Sequence, residues 1–176
     1  MNRFGPAQIK IVNNAVAMAE ELVSNYYKMS ASQWLGPRYD VKTLAELIKA
    51  EIIDGPFAQI IRYRGQRRNT SLGSATYDFY KICLQDHSII NALRQYQDLD
   101  LFAFILYIFS HELIHIIRFR RFLQHFDAPL REKNEEEMRV HAKTHEILYK
   151  VNIDHLKPVL KFYENWRRAP HDLLDA

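Results

Sequence analysis

The spacing of apolar residues along the chain predicts a mainly helical protein. After Pro6, apolar positions recur every three or four residues as far as Tyr26, which predicts a first amphipathic helix. Asp40 is a candidate cap for a second helix, which the Gly55-Pro56 pair would end. The buried face of this second helix would comprise Val41, Leu44, Leu47, Ile48 and Ile52.

The pattern then changes from helical spacing to alternation. From Phe57 to Arg64 the chain is rich in β-branched and aromatic residues, and a polar stretch follows. In the next run Tyr80, Ile82 and Leu84 alternate with residues of the opposite face. These two runs are predicted to be antiparallel neighbours in a small sheet of two to four short strands.

A long apolar stretch begins after Asp100, whose carboxylate suits the positive end of a helix dipole. It predicts a helix from Leu101 to about Phe122. Its most apolar part, residues 101–117, is shorter than the roughly twenty residues that span a bilayer, and histidine and glutamate interrupt it. We therefore expect a buried helix of a soluble protein.

Two more helices are predicted downstream. Asp127 ahead of Pro129 signals a helix start, and the acidic residues that follow favour a helix to about Val151. A last helix would begin near Asp154 and end near Trp166, which, like Trp34, we expect to be a packing anchor. The pattern predicts an α+β, mostly helical fold.

Length and composition favour one soluble domain. A chain of 176 residues can bury one sizeable core, and we divide it into N-terminal helices (1–53), a core (57–151) and a C-terminal helix (154–169). The net charge of +3 permits an acidic partner without requiring one. Cys83 is the single cysteine, so a metal would need nitrogen and oxygen ligands. Residues 1–19 lack the apolar run of a secretory signal, and we expect a cytoplasmic protein without a membrane span.

The pattern His-Glu-Leu-Ile-His, residues 111–115, carries the candidate chemistry. On a helix, His111 and His115 share one face one turn apart, so both imidazoles can bind one zinc ion. Glu112 lies beside the position of a zinc-activated water and could take its proton. Two histidines satisfied by hydrogen bonds in a buried helix are the simpler alternative, but Glu112 would then need a cation in an apolar setting.

A catalytic zinc ion needs a third protein ligand, and three residues are candidates. Glu137 lies on the next predicted helix, on a face that combines a carboxylate with apolar neighbours. Glu136 would replace it if that helix were rotated by one position. His125 could return to the metal after a helix break. An acidic, solvated helix start is the alternative reading of residues 135–137.

These motifs resemble the gluzincin metallopeptidases, and within them the short ImmA/IrrE-type proteins and, less closely, the SprT-like proteins. The resemblance covers about residues 57–150 and includes Leu72-Gly73-Ser74-Ala75, the run from Tyr80 to Leu84, and Ile89-Ile90-Asn91. It implies a zincin-like fold with the sheet packed on the HExxH helix, and Glu137 as the third ligand. It also implies that residues 80–84 form an edge strand to which an extended peptide could add.

Peptide hydrolysis also needs a donor for the developing oxyanion. By helix spacing, His141, His145, Tyr149 and Tyr107 are candidates, and His141 could instead orient a metal ligand. The sequence therefore predicts a zinc metalloendopeptidase that acts on a protein or peptide.

Two other functions stay open on the sequence. A non-catalytic zinc-binding module could contact a partner or nucleic acid through basic clusters at Arg62, Arg64, Arg67 and Arg68 and at Arg118, Arg120 and Arg121. A solvated hairpin tip and a helix end explain these clusters more simply, so we expect no nucleic-acid partner. The third function is a helical interaction protein with an accidental motif.

Overall fold

The computed structural model describes residues 1–30, 39–66 and 76–167. Within them the fold is α+β, with a small mixed sheet among helices. We label the elements α1 (Pro6–Tyr27), β1 (Tyr39–Lys42), β2 (Ala58–Gln66), β3 (Thr76–Leu84), α2 (Asp86–Gln95), α3 (Leu101–Arg120), α4 (Leu130–Leu148) and α5 (Leu156–Phe162). The predicted Trp34 anchor and the Leu72–Ala75 part of the resemblance lie outside the described residues.

The first predicted helix is confirmed as α1. Pro6 occupies its first turn, where a missing N–H costs nothing, and the Gln8 side chain accepts a hydrogen bond from the Gly5 N–H at 2.9 Å. The helix ends at Lys28, which adopts a left-handed conformation. The buried stripe of α1 packs along α3 and comprises Val12, Ala15, Ala19 and Val23.

The second predicted helix is wrong. Asp40 and Val41 lie in β1, which pairs in parallel with β3, and the rest of this segment contains only a 3₁₀ turn at Lys49–Glu51. Leu44 is buried, but Ile48 is 63% exposed, so the apolar residues do not share one face. Strand pairing and the hydrogen bond from the Leu44 N–H to the buried Asp86 carboxylate override the helical spacing.

The antiparallel pairing of the two extended runs is confirmed, since β2 and β3 pair along their whole length. The strand order is β1-β3-β2. The expectation that residues 80–84 form an edge strand is therefore wrong, because β3 is the central strand and β1 covers its other side. The Tyr77 ring lies close over Gly65 on the paired strand, since a Cβ atom at Gly65 would lie 2.7 Å from it.

The predicted long apolar helix is confirmed as α3, the core helix of the fold. Asp100 caps it, with its carboxylate accepting from the Ala103 N–H at 3.1 Å. Within the described ranges α3 alone is long and apolar enough to cross a membrane, but 78% of its most apolar window is buried inside the protein. Its apolar character is thus explained by α1, the sheet and α4, which surround it.

The last two predicted helices exist with different starts. α4 begins at Leu130, and Asp127 does not cap it but forms an ion pair with Arg62 of β2. α5 begins after His155 and is followed by a 3₁₀ turn at Glu164–Arg167. The fold also contains α2, a helix that the resemblance gave as part of a turn and strand, in which Ile89 and Ile90 pack into the core.

Candidate metal centre

The HExxH residues lie in the second half of α3, where one face of the buried helix borders a cleft. His111 and His115 are 7% and 4% exposed, and their ring centroids are 4.7 Å apart. The helix holds both rings on one face because they are one turn apart. The side chain of Glu112 lines the same cleft.

Glu137 of α4 faces this pair of histidines. Its Oε2 lies 3.1 Å from His111 Nε2, its Oε1 lies 3.1 Å from His115 Nε2, and the two Nε2 atoms are themselves 3.1 Å apart. A tetrahedral zinc ion with bonds of 2.0–2.1 Å holds its ligand atoms about 3.3 Å apart. The three side chains therefore already have close to the separations of a zinc site.

Protons satisfy these contacts less well than a metal ion would. If both Nε2 atoms carry a proton and donate to Glu137, two N–H groups face each other at 3.1 Å. If only one does, the other nitrogen directs its lone pair at a carboxylate oxygen. A single cation would attract all of these lone pairs at once, so the residues present fit a metal ion.

The electrostatics of the cluster agree with this reading. Burial opposes the charged form of Glu137, but hydrogen bonds from His111 and His115 outweigh burial and hold the pKa of the carboxyl well below its usual range. Burial also disfavours the charged form of His115, yet the Glu137 hydrogen bond outweighs it and raises the pKa of the imidazole. Glu137 is thus an ionised carboxylate aimed at the two histidines.

Glu112 differs from Glu137 in having no partner among the described residues. It makes no hydrogen bond or ion pair with a residue in the described ranges. Burial raises the pKa of its carboxyl, and the neighbouring histidines offset this only in part. A half-buried carboxylate with a raised pKa at the mouth of a cleft is suited to accept and return a proton.

The other two candidates for third ligand are placed elsewhere. Glu136 is buried between Arg118 of α3 and Arg139 of its own helix and pairs with both. Successive helix positions differ by about 100°, so this ion pair between the two helices turns Glu137 towards the histidines. His125 is exposed and does not line the cleft. The corrected interpretation is that Glu136 anchors α4 and that His125 takes no part.

The predicted oxyanion donors divide into two groups. His141 and Tyr107 line the cleft, with the Tyr107 hydroxyl 3.0 Å from His141 Nδ1 and the His141 ring 4.2 Å from that of His111. Candidate ligand atoms of His111, Glu137 and His141 all lie within 4.8 Å of one another. His145 and Tyr149 stack on each other away from the cleft, with Tyr149 72% exposed, so their predicted role is wrong.

The cleft has a volume of about 860 Å³ and a largely aromatic wall. One side is formed by residues 55–60, which lead into and begin β2. The opposite side comes from the C-terminal segment through Phe162, Tyr163 and Trp166. Trp166 is 58% exposed, so it is a cleft residue and not the packing anchor expected.

Tyr163 is one residue of this site that sequence reasoning missed, and Gln124, whose Oε1 lies 3.0 Å from His115 Nδ1, is another. The Tyr163 ring stacks on Tyr107 at 4.0 Å and its side chain is almost fully buried, yet its hydroxyl has no hydrogen-bond partner in the described part of the chain. Burial raises the pKa of Tyr163 well above its usual range, so the hydroxyl keeps its proton. The sequence placed Tyr163 within the last predicted helix, whereas α5 ends at Phe162 and only the fold brings Tyr163 to the cleft.

Comparison with known proteins adds no identity. No family model, curated protein or solved structure matches the chain.

The basic clusters are largely engaged within the molecule. Arg62 pairs with Asp127 at 2.8 Å and lies over the Phe126 ring, and Arg118 pairs with Glu136. The Arg121 guanidinium lies over the Tyr27 ring. Arg67 and Arg68 are outside the described residues. These contacts favour a structural role for the clusters over the contact with nucleic acid.

Proposed function

We propose that this protein is a zinc-dependent metallopeptidase in which His111, His115 and Glu137 hold the ion and Glu112 is the general base. The observation that supports it most strongly is the set of three mutual 3.1 Å contacts, which are close to the separations of ligand atoms around one zinc ion. A partnerless carboxylate beside that set is the second support.

The residues of the chain have separate roles in this proposal. Zinc, when bound, would supply the Lewis acidity that makes water nucleophilic near neutral pH and polarises a peptide carbonyl. Glu112 takes a proton from the attacking water and delivers it to the nitrogen of the leaving amine. The Tyr163 hydroxyl donates to the carbonyl oxygen as negative charge develops there. His141 and Tyr107 hold the neighbouring wall of the cleft.

An extended peptide is the substrate that suits the cleft. Residues 55–60 all line the cleft, including the first three residues of β2. Alternate side chains of a strand point to opposite faces, so consecutive strand residues can all line a cleft only through the backbone edge. We therefore infer that β2 presents its backbone edge to the cleft. That edge is free within the described sheet, and a substrate strand can pair with it. We therefore assign to β2, an edge strand of the described sheet, the peptide pairing that was expected of residues 80–84.

A zincin-like fold and kinship with the ImmA/IrrE-type gluzincins form part of the proposal. The α+β arrangement, with a sheet beside the HExxH helix and a ligand carboxylate on the following helix, supports them.

We also propose a cytoplasmic location. Its support is Cys83, which is unpaired and fully buried and whose pKa burial raises to about 11. Such a thiol is a core residue and not a nucleophile.

A non-catalytic zinc module is the second candidate function. It is favoured by His141, whose ring reaches the same space as His111 and Glu137. If His141 became a fourth protein ligand, the ion would have no position for water and the site would be structural. Because the Tyr107 hydroxyl contacts His141 Nδ1, the ligand atom of His141 would be Nε2.

Hydrolysis of peptides by the full chain tests the choice between these functions. The metal-free protein, the zinc-loaded protein and zinc-loaded Glu112→Gln would each be incubated with a proteome-derived peptide library, and new termini identified by mass spectrometry. The proposal expects cleavage only by the zinc-loaded wild type. Zinc binding without cleavage by any form, together with four protein ligands in the X-ray absorption spectrum, would favour the structural module.

A further inference from the structure

The segment that follows α3 is fixed against the sheet. Asp127 pairs with Arg62 of β2 at 2.8 Å, and the Phe126 ring packs below the same guanidinium. Phe122 adopts a left-handed conformation with φ of 55°, and the Leu123 N–H returns to the Arg118 carbonyl at 2.9 Å. A non-glycine residue in this conformation costs about 1 kcal/mol, so the turn is kept by its surroundings.

This segment places Gln124 beside one of the two histidines. Gln124 Oε1 lies 3.0 Å from His115 Nδ1, on the side of the ring opposite Nε2. An amide oxygen only accepts, so Nδ1 must carry the proton in this contact. Without a metal, Nε2 also carries a proton, which it donates to Glu137. Loss of that proton would leave a neutral imidazole whose Nε2 lone pair faces His111 and Glu137.

His111 has no such support. Its Nδ1 is buried and has no hydrogen-bond partner in the described part of the molecule. No described group holds a proton on Nδ1 of His111, which a ring that binds a metal through Nε2 requires. The two ligand histidines are therefore unequal: the Nδ1 proton of His115 is held in advance, and that of His111 is not.

We propose that Gln124 is the positioning residue of the metal centre, which fixes the tautomer and the ring angle of His115 so that Nε2 is ready for the ion. This inference rests on the proposed function of the cluster as a zinc site. A partner that orients a ligand histidine changes metal affinity by about 10- to 100-fold. The affinity depends on Gln124 even though its side chain does not touch the ion.

Three replacements separate this role from simple packing. Gln124→Leu keeps the size and removes the acceptor, and Gln124→Asn keeps the amide but withdraws it by one methylene group. Both should weaken zinc binding by about 10- to 100-fold. Gln124→Glu keeps an acceptor at the same reach and adds charge, so its affinity should equal or exceed that of the wild type. Leu123→Gln, at a 54% exposed neighbour, is the matched control and should bind zinc like the wild type.

The test is a competition titration of the metal-free full chain with zinc and a chromophoric chelator, combined with ¹⁵N NMR of the histidine rings in the loaded protein. We expect the tightest zinc binding in the wild type and in Gln124→Glu, weaker binding in Gln124→Asn and the weakest in Gln124→Leu. We also expect a slowly exchanging Nδ1 proton on His115 that Gln124→Leu removes. Should Gln124→Leu fail to fold, the Asn and Glu replacements decide the question by the same order.

The outcomes distinguish this inference from the proposed function. Tight zinc binding by the wild type with unchanged affinity in Gln124→Leu and Gln124→Asn overturns the role of Gln124 and leaves the zinc site intact. A wild type that binds no zinc overturns both.

Discussion

Two buried carboxylates in this protein have opposite surroundings. Behind the sheet, Glu51 is 3% exposed and accepts from Lys81 at 2.6 Å, from the Tyr63 hydroxyl at 2.8 Å and from the Ile48 N–H at 3.1 Å. Beside the cleft, Glu112 is half-buried and accepts from none of the described residues. The hydrogen bonds from Lys81 and Tyr63 lower the pKa of Glu51, whereas burial raises that of Glu112.

The difference distinguishes a carboxylate that stabilises the fold from one that is available for chemistry. A buried carboxylate with several donors stabilises the fold, and its charge is satisfied within the chain. One without donors destabilises the fold, and such groups persist where they act on something the chain does not contain. The neighbours Glu136 and Glu137 differ in another way: Glu136 is buried between two arginines, whereas Glu137 is half-exposed and faces two histidines at the cleft.

The largest effect is expected for Glu112→Gln. The amide keeps the shape of the site but cannot take a proton, so zinc-dependent hydrolysis should fall by about 100- to 10,000-fold while zinc binding persists. Initial rates on any cleaved peptide, with zinc content measured on the same samples, check this. Near-normal rates would exclude Glu112 as the base.

Removing the ligand carboxylate comes next. Glu137→Gln should weaken zinc binding by more than about 100-fold, since even partners outside the ligand sphere are worth 10- to 100-fold. Competition titration measures it. Glu135→Gln is the matched control, because Glu135 is on the same helix in an exposed pair with Arg131. Equal losses in both variants would show that general charge, and not ligation, attracts the ion.

Tyr163→Phe tests the residue found only from the structure. It removes one hydroxyl that has no partner to lose in the described part of the chain, so stability should be unchanged. If the hydroxyl stabilises developing charge, kcat should fall by about 100-fold with little change in KM or zinc affinity. A change in KM alone would instead assign Tyr163 to substrate binding.

The smallest effects concern stability and have opposite signs in the two regions. Glu51→Gln should lower the free energy of unfolding at neutral pH by about 1–3 kcal/mol, because charged hydrogen bonds are lost. Since the pKa of Glu51 is lowered by folding, this advantage of the wild type is present above the pKa of the unfolded chain. It disappears as the pH falls through the lower pKa of the folded protein.

In metal-free protein the same replacement at Glu112 should raise stability, since it removes a poorly solvated charge. Denaturant unfolding of both variants in the presence of a chelator, from pH 3 to pH 7, measures the pair. Destabilisation by Glu112→Gln would mean that this carboxylate has a structural partner after all.

The fold was predictable where spacing and packing agree. α1, around Val12, buries the apolar stripe that its sequence indicates, and α3, around Ile114, is buried on nearly all sides, as its apolar sequence indicates. Residues 40–52 were wrongly predicted to be a helix because their apolar spacing is helical. Their structure depends instead on contacts with residues distant in sequence: the parallel pairing of Val41 with Ile82 and the hydrogen bond from Leu44 to Asp86. Propensity is a weak prior against such tertiary contacts.

The site divides in the same way. His111 and His115 belong to one helix, so their convergence follows from a spacing of four residues. The choice between Glu136 and Glu137 depended on how α4 is rotated, which the buried Arg118 ion pair determines. Gln124 and Tyr163 lie after helix ends, where no periodicity indicates direction. Only the fold brings them to the histidines.

The zinc content of the purified full chain, measured by elemental analysis and by X-ray absorption at the zinc edge, is the most direct test of the proposed metal site. We expect one zinc ion per chain, bound by two imidazoles, a carboxylate and one further light atom, and lost in His115→Ala. Correctly folded wild-type protein that stays metal-free after exposure to zinc would contradict it.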